Sequence, residues 1–311
     1  MQVINGKYIL SEDEFHQFET FMQYGNLRDA KYVFVGMEEG LWRFNYDENL
    51  EGRLDFLSQH HEFVHYVDEK HGYEGGWYVT DTHSAPALLT AINGSLKKRG
   101  RPESWELDRK IDQTMRMQIR LAALLEANLD FSVLKYFTKN DDYSTYPLHK
   151  RDGETAMFDW YPLPKKSKTD FPYVVSGKFE NSREYYNYYD NHATNRKQLI
   201  RNLYDHYPMN ISIIYVGKDR GQFKLLKHYE DLGFEFHEYS TGTIPSGLDL
   251  QPGNKPKMFM IGRRTRVDGH LQLAVMTPFL GMGQCSFDDI NVIAAWLHLE
   301  QKKGAKKGGI S

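Results

Sequence analysis

Two adjacent carboxylates, Glu38 and Glu39, close the apolar run "YVFVGMEEG" (32–40), with Gly36 before them and Gly40 after. Acids at the end of a buried strand can position a water and stabilise a developing positive charge. Burial beside a like charge raises the pKa of one member of such a pair. The same acids can instead cap a following helix at its positive end. Three further apolar runs meet polar or glycine-rich loops: "DWYPLPKKSK" (159–168), "GKDRGQ" (217–222) and "TPFLGMGQ" (277–284). Asp159, when ionised, offers only hydrogen-bond acceptors. By itself it is equally an N-cap for the next element.

Basic residues cluster near two of these loops. Lys165, Lys166 and Lys168 follow Asp159, and Arg263, Arg264 and Arg266 ("GRRTR") precede the last apolar run, so both groups are expected on the ligand edge as phosphate contacts. "KKRGRP" (97–102) sets Arg99 and Arg101 in the Arg-Gly-Arg-Pro core of AT-hook peptides, whose arginines enter the minor groove. Such a run is also an ordinary solvated loop. A competing motif is "HEFVHYVDEKH", with His61, Glu62 and His65 in H-E-x-x-H spacing and His71 beyond. Two histidines on one helix face could hold zinc with Glu62 as base. Asp68 replaces the helix-breaking glycine of the extended zinc-protease signature, so the expectation is no metal and no cofactor.

The elements that must position these residues can be read from periodicity. Four buried strands are expected at Tyr32–Val35, Ala156–Tyr161, Ile211–Val216 and Leu271–Met276, with "KMFMIG" (257–262) a hairpin partner of the last. Helical patterns separate them: "SEDEFHQFETFMQYG" with Ser11 as cap, "SWELDRKIDQTMRMQIRLAALLEAN", "NHATNRKQLIRNLYDHY" and "RGQFKLLKHYEDLG". Strands alternating with helices predict a parallel sheet covered on both faces, with ligands outside the carboxyl ends of the strands. The stretch 47–150 is too long for one crossover and is expected to be a helical insertion in a single domain spanning 1–300, followed by a basic disordered tail, 301–311.

Composition bounds the rest. With 39 basic and 42 acidic residues the net charge is −3, so any polyanion site must be local. One cysteine, Cys285, excludes an internal disulfide framework. The first residues have neither the basic start nor the apolar core of a signal peptide, and no window approaches 18 uninterrupted apolar residues. The expected setting is the cytoplasm, with no membrane contact. An aromatic content of 14%, including 21 Tyr, suits cores and also surfaces on which bases stack.

Taken in order, the loops resemble the uracil-DNA glycosylase superfamily, whose first strand ends in G-Q-D-P-Y, G-E-A-P-G or G-I-N-P-G. "GMEEG" holds that place here, "FDWYPLP" is similar to the N-L-x-P-x-P runs of the mismatch-specific branch, and "MTPFLG" stands at the H-P-S-type loop. The matched segments cover only some forty residues. The resemblance implies an α/β fold: a three-layer α/β/α sandwich around a central, mainly parallel four-stranded sheet. It also implies roles. Glu38 would orient water and face the oxocarbenium, Asp159 would stand at the base-reading Asn, and Thr277, or alternatively Met276, at the His that stabilises the departing base. Gly36 and Gly40 would flank the base, Phe44 would stack on it in competition with Trp42 and Tyr46, the family using a Phe in this stretch, and Phe279 and Leu280 would form the wedge that fills the hole left by a flipped nucleotide.

Three departures from the family pattern bear on substrate. Gly40 replaces the Tyr that resembles a gate against substituents on C5, opening that wall. Asp159 in place of Asn suits the exocyclic amine of cytosine. Thr277 cannot act as the missing cation. These point to a cytosine with a bulky 5-substituent, and the chain most resembles a bacterial phage-defence glycosylase acting on glucosylated hydroxymethylcytosine. Its expected partner is double-stranded DNA, modified phage DNA in particular, with no obligate protein partner. The alternatives are a uracil or mismatch repair glycosylase, a DNA-binding module without chemistry, and a zinc metalloprotease.

Overall fold

The computed structural model describes residues 1–22, 25, 27–41, 45–59, 66–68, 72–74, 97, 100, 113–137, 148–149, 153–167, 170–192, 194–219, 221–252, 255–281 and 283–307. An N-terminal hairpin, β1 (Gln2–Ile4) and β2 (Lys7–Leu10), is joined by β7 (Tyr173–Val175), parallel to β2. Helix α1 (Glu12–Thr20) starts where expected. The Ser11 hydroxyl accepts from the Glu14 N–H and the Glu14 carboxylate accepts from the Ser11 N–H, so two free amides are satisfied reciprocally.

The strand carrying the two acids, β3 (Tyr32–Gly40), is apolar because both its faces are covered. Val33 and Val35 enter one core and Tyr32 and Phe34 the other. It lies between β6 (Thr155–Lys165) and β8 (Ile211–Ile214), parallel to both, and β8 is parallel in turn to β13 (Leu271–Met276). These are the four strands read from the sequence. The sheet itself has six: β12 (Met258–Thr265) pairs antiparallel with β13, as the hairpin reading requires, and β11 (Glu235–Ser240) pairs antiparallel with β12. The order is β11-β12-β13-β8-β3-β6, mostly parallel.

Helices flank this mixed α/β sheet. On the Val33 face lie α1, α4 (Ser182–Asn191), α5 (Asn195–His206) and α6 (Leu226–Asp231), through Phe15, Phe18, Tyr185, Leu199, Leu203 and Tyr229. On the Phe34 face lie α3 (Gln113–Glu126) and α7 (Phe287–Lys307), through Ile119, Leu121, Leu124, Ile290, Ile293 and Leu297. The long stretch between β3 and β6 feeds both cores. Leu50 of α2 (Tyr46–Gln59) joins the first and α3 supplies much of the second; between them the described chain forms a short hairpin, β4 (Tyr66–Asp68) and β5 (Gly72–Glu74).

The expected tail is corrected in part. Residues 301–307 complete α7, and Gly304 lies so close to β13 that a Cβ there would strike the Leu271 side chain. Among the described residues, no helix is long and apolar enough to cross a membrane.

Candidate active site

The chain runs outward from β3 to β6 and then returns across β3 to β8, so strand order reverses beside β3, where a ligand crevice forms at the carboxyl ends of the strands. Gly36 of β3 is in register with Asp159 of β6. A Cβ on Gly36 would collide with Asp159 Oδ1, and the Tyr215 hydroxyl lies 3.3 Å from the same position. Tyr215 follows β8, donates its hydroxyl to Met157 Sδ at 3.3 Å and sets its ring 6.0 Å from that of Phe279. Glycine, carboxylate and two aromatic rings thus converge from four neighbouring strands, Gly36 and Asp159 within β3 and β6 and the two rings just beyond β8 and β13.

Asp159 is held from behind. Because β6 is the edge strand, its outward carbonyls lack a strand partner. The buried Arg196 guanidinium supplies donors instead, to the carbonyls of Asp159 (3.2 Å), Trp160 (2.9 Å), Glu19 (2.9 Å) and Phe21 (2.9 Å). One planar fork therefore ties β6 to the end of α1.

Glu38 lies two residues beyond Gly36, about 7 Å further along the strand, in register with Tyr161. Its side chain is 11% exposed and that of Lys165 only 2%. The Tyr186 hydroxyl donates to Glu38 Oε1 at 2.6 Å; the Lys165 ammonium donates to the Tyr186 oxygen at 2.7 Å and reaches both carboxylate oxygens at 3.4 Å. Burial pushes Glu38 above the usual carboxylate range, against the pull of the Lys165 cation, the Tyr186 hydroxyl and the field of Lys224. Burial pushes Lys165 down, against the attraction of Glu38. Tyr186 is raised by burial and by Glu38, so it stays a phenol and a donor. A carboxylate in this setting can accept a hydrogen bond from water and face a developing cation.

The other sequence-derived candidates divide. Thr277 is buried at the end of β13; its N–H donates to the Ile214 carbonyl (2.9 Å), its hydroxyl to the Pro278 carbonyl (2.9 Å), and its carbonyl accepts from Gly217 (3.4 Å). It joins the third and fourth loops, with its hydroxyl already engaged. Phe279 is half-buried against Tyr215, whereas Leu280 is fully buried in the α3–α7 core and is corrected from wedge to core. Gly40 is exposed, in register with Lys165. Lys165 is corrected from phosphate contact to buried partner of Glu38, while Lys166 is exposed, its N–H donating to the Tyr46 hydroxyl at 3.1 Å.

Arg263, Arg264 and Arg266 are also corrected. Because β12 runs antiparallel, they lie where β13 begins, at the end of the sheet away from Glu38. There they pair with Glu300, with Asp205 and Gln272, and with Asp268 and the Tyr207 carbonyl respectively. Phe44, Lys168, Arg99, Arg101 and the His61, Glu62, His65 and His71 set lie outside the described residues.

Sequence reading missed Tyr215, Tyr186, Arg196 and Lys224. Their signals were slight: Tyr215 ends an apolar strand before Gly217, and Tyr186 is one of four tyrosines in "SREYYNYYDN" (182–191). Compared with models of known protein families, with curated proteins and with solved structures, the chain gives no match.

Proposed function

We propose that this protein is a DNA glycosylase that flips a modified pyrimidine from the duplex, hydrolyses its N-glycosidic bond and leaves an abasic site, in defence against phage. The observation that carries this reading is the placement, on the adjoining strands β3 and β6, of the largely buried Glu38 carboxylate and of Asp159, whose carboxylate fills the space that a side chain on Gly36 would need. In this reading Glu38 orients water and stabilises the oxocarbenium, and Asp159 accepts from the exocyclic amine of cytosine. Phe279, half-buried with its ring on Tyr215, is the wedge, and Gly40 leaves room for a bulky 5-substituent such as a glucosylated hydroxymethyl group. The apolar cores on both sheet faces support the three-layer sandwich implied by the glycosylase resemblance. The proposed setting is the cytoplasm, without metal or cofactor.

The test is incubation with duplexes bearing uracil, cytosine, hydroxymethylcytosine or its glucosylated form, followed by detection of abasic sites. Release from the glucosylated duplex, lost in Glu38→Gln, is the expected result; release from uracil alone would return the chain to repair. A second reading, a DNA-binding module without chemistry, is favoured by Thr277, which puts no cation at the fourth loop and has its hydroxyl committed to Pro278. DNA binding without base release from any of the four duplexes decides for it.

A further inference from the structure

The Glu38 carboxylate is anchored unequally. Oε1 accepts the Tyr186 hydroxyl at 2.6 Å and the Lys165 ammonium at 3.4 Å, whereas Oε2 has, among the described residues, only the ammonium, at 3.4 Å. The ammonium also donates to the Tyr186 oxygen at 2.7 Å, so three side chains from β3, β6 and α4 close a ring of donors and acceptors. Lys165 has little freedom to leave it. Its ammonium lies over the rings of Tyr186 (4.9 Å) and Phe171 (5.6 Å), and its side chain is buried. Two donors on one oxygen fix the carboxyl plane and leave lone pairs on the other.

Resting on the glycosylase reading, we propose that Lys165 and Tyr186 are positioning residues for Glu38, fixing its carboxylate so that Oε2 orients the attacking water. Neither touches the reacting atoms. Both act by setting which oxygen is available and by keeping the group ionised. Among the described residues, the titratable and charged groups around Glu38 are Lys165 and Tyr161 on β6, Tyr185 and Tyr186 on α4, Tyr46 on α2 and Lys224 after β10 (Gln222–Phe223). Among the influences that hold Glu38 down against burial, the Lys165 charge is the largest. Its removal shifts Glu38 further up, and the ionised form needed for chemistry is then lost at a higher pH.

The experiment compares pH–rate profiles of base release for the wild type, Lys165→Met, Lys165→Arg and Tyr186→Phe. In Lys165→Met the acidic limb is expected to move up by about one pH unit or more, with kcat lowered and KM little changed. Tyr186→Phe moves the limb the same way by less, and Lys165→Arg retains most of the wild-type profile. A fall in rate with an unmoved limb, or a change confined to KM, overturns the proposal. A readout that needs no activity separates this inference from the one it rests on: 13C titration of the Glu38 carboxyl, assigned by its loss in Glu38→Gln. An unmoved Glu38 titration in Lys165→Met overturns the positioning role whatever the enzyme does. If the titration moves up while the wild type releases no base from any duplex, the glycosylase reading fails and the hold of Lys165 on Glu38 stands.

Discussion

The Asp159 carboxylate occupies the space that a Cβ on Gly36 would need. The contact joins the first two strand ends at their in-register pair, and it explains the glycine by close approach of a neighbouring side chain. Gly36→Ala forces Asp159 to swing away or the strands to part. The expected result is a stability loss of about 1–3 kcal/mol by urea unfolding, as for other overpacked sites. Base release is expected to fall roughly 100-fold, the scale set by small misplacements of a reacting pair. An alanine variant with wild-type stability and rate would show that Asp159 has no fixed seat.

Arg196 carries the second prediction. It sends its donors to four backbone carbonyls on β6 and around the end of α1. Arg196→Met removes all of them from a buried setting and is expected to cost about 3–5 kcal/mol. Arg196→Lys recovers only part, because an ammonium has no planar fork. Equal stabilities of the two variants by denaturant titration would contradict this account.

The position of the basic residues gives a third. Lys166 is exposed at the edge that holds Glu38, whereas Arg264 is tied to Asp205 and Gln272 at the other end of the sheet. Lys166→Ala is expected to lower the slope of log affinity against log salt by about 1 and to weaken binding to all duplexes alike. Arg264→Ala leaves that slope unchanged. Fluorescence anisotropy across a salt series reads both, and a salt slope lowered by Arg264→Ala instead would move the DNA to the other edge.

A fourth prediction concerns acid. His149 is buried, Nε2 lies 3.4 Å from the Gln118 carbonyl oxygen, and Nδ1 has no hydrogen-bond partner among the described residues. Burial holds its pKa down to about 3, against an ordinary value of 6.5. As pH falls below 6.5 the unfolded chain takes up a proton that the folded one refuses, so stability is lost until about pH 3, near 1.4 kcal/mol per unit at the steepest. His149→Asn tolerates the left-handed backbone there (φ 54°) and removes this contribution. Denaturant midpoints at pH 7 and 4.5 should therefore converge in the variant, and an unchanged difference would place the acid sensitivity elsewhere.

Much of the scaffold was legible because burial on both faces writes a continuous apolar run, as in "YVFV" and "ISII". What covers only one side was not. β11, "EFHEYS", is an edge strand with Glu235, His237 and Glu238 exposed, so it carries no such run. The helix expected over "RGQFKLLKHYEDLG" begins only at Leu226, because β9 (Lys218–Asp219) and β10 form a hairpin first and Leu225 takes a left-handed turn (φ 66°).

Strand direction decided the arginines. An antiparallel partner of β13 ends where β13 begins, so the hairpin expectation and the ligand-edge expectation for Arg263–Arg266 exclude each other. The strands of Glu38 and Asp159 could be placed from periodicity alone, although both run past the expected ends, to Gly40 and Lys165. Their supports could not, since Tyr186 and Arg196 reach them across chain separations that no local pattern encodes.

The central place of β3 has a consequence for biosynthesis. Residues 32–36 pair with 155–159 on one side and 211–214 on the other, so the strand that bears Glu38 emerges from the ribosome long before either neighbour exists. Until then its apolar stretch has both hydrogen-bonding edges open, a state prone to mispairing and slow to resolve. The nascent chain must carry the strand that bears Glu38 as a temporary liability, and truncations that end before residue 214 should accumulate as aggregates.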